Sequence, residues 1–102
     1  MRVVVKRVGC EPEVVEIEHT LKAMQAIVGG YIETVTSPGL ALVCNEEGKL
    51  KGLPNNFLLR GDIIVGDAFF VGIDPDTLDF CSLSDHAVYS IMRRFNVMGW
   101  YS

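Results

Sequence analysis

The sequence predicts a single α+β domain over residues 1–102, an antiparallel sheet with two helices packed on one face. Three observations carry this expectation. Short β-branched segments recur between turns rich in Gly, Pro and Asn; two stretches switch to helical spacing of their apolar residues; and a chain of 102 residues, 49% apolar and 22% charged, suits one modest globular core.

Taken in order, Arg2 to Val8 is β-branched, Cys10-Glu11-Pro12 breaks it, and Val14-Val15-Glu16-Ile17-Glu18 resumes, which reads as a β-hairpin. Thr20 is an N-cap residue for a helix carrying Leu21, Met24, Ile27 and Val28 on one stripe, and Gly29-Gly30 supplies its left-handed stop. Tyr31 to Thr36 and Leu40 to Cys44 form a second antiparallel pair around Ser37-Pro38-Gly39. After a turn at Asn45 to Lys49, the breaker Leu53-Pro54-Asn55-Asn56 leads into Phe57-Leu58-Leu59, read as a single helical turn. Asp62 to Gly72 reads as one long buried strand, in which Gly66 marks a bulge or a close backbone approach. Asp74 to Thr77 is a turn, Leu78 to Leu83 a short strand, and Ser84 caps a last helix with Ala87, Val88, Ile91, Met92 and Phe95 on one face. Arg93-Arg94 suit the negative end of that helix, in its last turn.

Charge and cysteine usage work by exclusion. Nine Lys and Arg against thirteen Asp and Glu give a net charge of −4, the wrong sign for a domain that lives by neutralising phosphates, so a nucleic-acid partner is not expected. Residues 61–86 hold Asp62, Asp67, Asp74, Asp76, Asp79 and Asp85 with no Lys or Arg, which is either a set of solvated turn residues or an acidic face for a basic partner. Cys10, Cys44 and Cys81 are odd in number and lack knuckle or redox spacing, as expected of cytosolic thiols rather than a disulfide or zinc framework. No leader or membrane-spanning stretch is legible, so the expectation is a cytoplasmic protein with no membrane partner.

The run Met24-Gln25-Ala26-Ile27-Val28-Gly29-Gly30-Tyr31-Ile32-Glu33, continued by Val43 to Leu50 and by Leu53-Pro54-Asn55, resembles a small bacterial and bacteriophage family catalogued as domain of unknown function 3846. The likeness extends weakly to Asp62-Ile63-Ile64-Val65-Gly66, and from Asp74 onward the residues carry no such pattern. The resemblance implies an accessory of a phage or other mobile element. It implies no activity.

No acid, base and nucleophile set is legible, so the expectation is a non-enzymatic protein without cofactor or metal. Cys81 with Asp85 and His86 is the one arrangement that writes as a thiol hydrolase, and sequence proximity is not the geometry that chemistry needs. For ligand binding, Tyr31 and Trp100 offer stacking rings, Asn45 and Asn55 amide groups, and Arg60 a cation. A mean hydropathy of +0.28 is high for so small a domain, and helices confined to one face leave the other sheet face for a second subunit. With the mobile-element setting that the resemblance implies, the expected function is a homo-oligomer, a dimer by default, that sequesters a cyclic or modified nucleotide signal to counter host defence. The alternative is an acidic module that blocks a host protein.

Overall fold

A computed structural model describes residues 1–98. The first hairpin pairs β1 (Arg2–Lys6) with β2 (Glu13–Glu16), and helix α1 (Leu21–Val28) follows. Thr20 Oγ1 accepts from the Ala23 N–H, and Gly29 closes the helix at φ 79°, a left-handed conformation that costs a residue without Cβ nothing. Strands β3 (Ile32–Ser37) and β4 (Leu40–Asn45) form the second hairpin. Next come β5 (Asn55–Leu59), β6 (Asp62–Val65), β7 (Ala68–Ile73), the short β8 (Phe80–Cys81) and helix α2 (Asp85–Met98).

One antiparallel sheet runs in the order β2-β1-β7-β4-β3, with β8 on β7, while β5 and β6 form a separate hairpin. The α+β class, an antiparallel sheet with two helices, is therefore present. The helices, however, lie on opposite faces. Val3, Val5, Ala41, Val43, Phe69 and Val71 pack with Met24 and Val28 of α1. The alternate residues Val4, Leu42, Ala68 and Phe70 pack with Ile91 and Phe95 of α2 and with Phe57 and Ile64 of the hairpin. The physical reason is visible in the strands themselves. Val3-Val4-Val5, Leu40 to Cys44 and Ala68 to Val71 are unbroken apolar runs, the pattern of strands buried on both faces, whereas a sheet covered on one side alternates. Among the described residues each face of the sheet is thus packed by a helix.

Three local expectations also change. Phe57-Leu58-Leu59 is strand rather than helical turn, because its partner Asp62-Ile63-Ile64 is held in register by a tight reversal at Arg60-Gly61. The long strand 62–72 is two strands in two sheets. It divides at Gly66, where φ is 76° and a Cβ would stand 2.7 Å from Leu53 Cδ1, so that the close-approach reading of this glycine holds. Arg93 and Arg94 are not in the last turn of α2, which runs on to Met98. The start of α2 is as expected, with Ser84 Oγ accepting from the Ala87 N–H, and Arg2 ties it to β1 by an ion pair with Asp85 at 2.8 Å.

Candidate functional site

The β5–β6 hairpin lies over the α2 side of the sheet without meeting α2 along its whole length, and the gap is a groove of about 390 Å³. Its floor is Leu40, Leu42 and Phe70, continued to the sheet edge by Val35 and Ser37 of β3. The hairpin wall is Phe57 to Arg60, and the opposite wall is Ser90, Ile91, Arg94 and Phe95. The groove ends in a three-ring contact: Phe57 meets Phe95 edge to face at 5.2 Å, and Phe70 lies 5.9 Å from each. Arg60 and Arg94, one from each wall, are the only charged residues in the lining among the described residues. Both are exposed.

A buried polar contact holds the hairpin wall in place. Lys6 is fully buried, and its Nζ donates to Asn56 Oδ1 and to the Arg7 carbonyl, both at 2.8 Å. Asn56, also buried, returns two bonds from Nδ2, to the Lys6 carbonyl at 2.7 Å and the Gly66 carbonyl at 2.8 Å. One amide thus ties β5 to β1 and to the turn where β6 becomes β7. Burial pushes the Lys6 ammonium below the ordinary lysine value, against the opposing pull of Cys10 and Asp67.

The sign of the resulting pH dependence follows from proton counting. Below its lowered pKa, Lys6 is charged in both states and the cost of burying the charge is constant. Between that pKa and the ordinary lysine value the unfolded chain holds a proton that the folded chain has released, so stability rises with pH across the window. The Cys44 thiol opposes this: burial, with Glu33 and Asp62 adding to it, pushes its pKa up, so its contribution falls as pH rises above the ordinary thiol value. Comparing urea unfolding of the wild type with Lys6→Met isolates the lysine. The difference between the two should change with pH in the wild type's favour as alkalinity increases, and a difference independent of pH would refute the assignment.

The ligand residues expected from the sequence are not brought together. Arg60 lines the groove. Tyr31, between α1 and β3, is 66% exposed and lies outside the groove lining. Asn45 is a structural residue: it is buried, Nδ2 donates to the Val28 carbonyl at the end of α1, and Oδ1 accepts from the Glu47 N–H. Asn55 is exposed at the start of β5, beside Lys49 and Asp62 in a shallow depression on the other side of the hairpin. Trp100 lies outside the described residues.

Conversely, Arg94, which the sequence reading assigns to the end of its helix, and the apolar lining are not among the expected ligand residues, because Phe57 to Leu59 read as a helical turn leaves no wall there. The signal that could have found the wall is Arg60-Gly61 between Phe57-Leu58-Leu59 and Ile63-Ile64-Val65, a two-residue reversal flanked by apolar strands. Of the thiol arrangement, Cys81 is half-buried on β8 and Asp85 is engaged by Arg2. Among the described residues no three His, Cys, Asp or Glu side chains gather to hold a metal, and no helix is long and apolar enough to cross a membrane.

Compared with known proteins, no curated protein and no solved structure matches the chain. The family model described as domain of unknown function (DUF3846) matches residues 1–96, well past Asp74, where the residues read by themselves carried no likeness. With nearly its whole length matched, from β1 into the last turns of α2, this chain belongs to the DUF3846 family.

Proposed function

We propose that this chain is a non-enzymatic binding protein whose groove between α2 and the β5–β6 hairpin takes a small ligand with an apolar body and an anionic group. One observation carries the reading: on a chain of net charge −4, a largely apolar groove has two arginines and, among the described residues, no carboxylate in its lining. A phosphorylated or carboxylated ligand meets the guanidinium groups at the rim while its apolar part displaces water from Leu40, Leu42 and Val35. A modified nucleotide signal held for the benefit of a mobile element is one such ligand. The phenylalanines pack on one another, so an aliphatic or aryl surface suits the groove better than a base that needs a free stacking face.

The alternative of an acidic blocking face draws less support. Asp62, Asp67, Asp79 and Asp85 each have a basic neighbour, in Lys49, Arg7, His19 and Arg2, and Asp74 accepts from the N–H groups of its own turn.

Native mass spectrometry with nucleotide signals, a medium-chain fatty acid and an aryl phosphate tests the reading. A ligand should be retained and released unaltered by heat, and Arg94→Ala or Arg60→Ala should weaken it by about tenfold or more, as expected for loss of a charged hydrogen bond. Retention indifferent to both arginines would refute the site, and an altered product would mark an enzyme.

A further inference from the structure

We propose that the outer edge of β3 pairs antiparallel with β3 of a second copy of this chain, making one continuous sheet across a two-fold axis. Among the described residues β3 has a partner on one side only, β4. The Tyr31 carbonyl accepts from the Glu46 N–H, so odd positions of β3 form the mutually bonded pairs with β4. By the alternation of an antiparallel ladder, Ile32, Thr34 and Thr36 turn their N–H and C=O groups outward.

The two edges of the sheet differ in how they treat a copy of themselves. Around β2, Glu11, Glu13, Glu16 and Glu18 are all exposed, a row of like charge that repels its own image. Strand β3 has the single carboxylate Glu33, no Pro, no Lys and no bulge over six residues. It lacks the devices that keep edges apart.

Self-pairing also has a register that satisfies its side chains. With Val35 opposite the partner's Val35, Thr34 faces the partner's Thr36 and Glu33 faces the partner's Ser37. These are a β-branched pair, a hydroxyl pair and a carboxylate with a donor. The exposed Tyr31 then lies beside the partner's Pro38–Gly39 turn, which gives that ring a surface to cover. A two-fold axis perpendicular to the sheet keeps both α2 faces on the same side. Because Val35 and Ser37 line the groove, the two grooves then meet across the axis and each is continued by the other. Only this last consequence rests on the groove as the ligand site; the pairing itself does not.

Sedimentation velocity of the full chain without ligand tests the pairing independently of binding. The wild type should sediment as a dimer at micromolar concentration. Thr34→Pro removes an outward N–H without touching the β4 ladder and should weaken the dimer by about tenfold or more. Should that variant fail to fold by circular dichroism, Thr34→Lys and Thr34→Glu decide: each alone should be monomeric, and an equimolar mixture should restore the dimer. A wild type that stays monomeric across the concentration series overturns the proposal. So does a dimer that folded Thr34 variants leave unchanged.

Discussion

Phe70→Ala is expected to cost about 4 kcal/mol, the upper part of the range for a buried aromatic truncated in a packed core. Phe70 stands at the centre of β7, opposite Val4 on one side and Leu42 on the other, and its ring meets both Phe57 and Phe95. Truncation removes the contact that joins sheet, hairpin and α2, three elements that can close on the void only by moving together. The neighbouring Phe69 is fully buried on the α1 face and is the control. Phe69→Ala should cost a similar amount in urea unfolding yet leave ligand retention in the folded protein intact, whereas Phe70→Ala should impair both. For a domain whose total stability is of order 5–15 kcal/mol, either variant needs assay at low temperature. A loss below about 1.5 kcal/mol for Phe70→Ala would mean that the three-ring contact does not organise this face.

Asn56→Ala should cost about 3 kcal/mol, more than its size suggests. The side chain fills little space, but its removal leaves the Lys6 and Gly66 carbonyls without their buried donor and takes an acceptor from a buried ammonium group. The desolvation cost of those groups remains while their compensation is lost. Lys6→Met in the same background removes the charge, so the double variant should lose less than the sum of the two single losses. Amide hydrogen exchange adds a readout that bulk stability does not supply. The β5–β6 hairpin should lose protection in Asn56→Ala well before β1, β4 and β7, because this amide is its tie to β1. Uniform loss of protection across both sheets would show instead that Asn56 supports the whole core rather than the groove wall.

Much of the fold was legible from short-range chemistry. Thr20 and Ser84 as N-caps, Gly29 as the left-handed stop and the hairpins of β1–β2 and β3–β4 depend on residues a few positions apart, and each stands where the sequence places it. The ligand residues were legible only in part. Asn45 and Asn55 offer the same amide, and nothing local distinguishes the one that locks the end of α1 from the one that faces solvent. Lys6 ends a strand after three consecutive valines, and its position between Val5 and Arg7 gives no hint that its ammonium group meets an asparagine fifty residues away.

By itself, then, the sequence determined the α+β class, most strands, both helices and their caps, and a family likeness over Met24 to Asn55 that the family model carries across residues 1–96. Those features rest on backbone preference and on neighbours along the chain. Only the tertiary structure decided that α1 and α2 take opposite faces, that the run from Asp62 to Gly72 divides between two sheets, and that Arg60 and Arg94 border one groove. Each of these depends on which apolar surface a distant segment covers. An apolar run such as Ala68 to Val71 says that both of its faces are buried, but the identity of what buries them is set by packing between elements far apart in the chain.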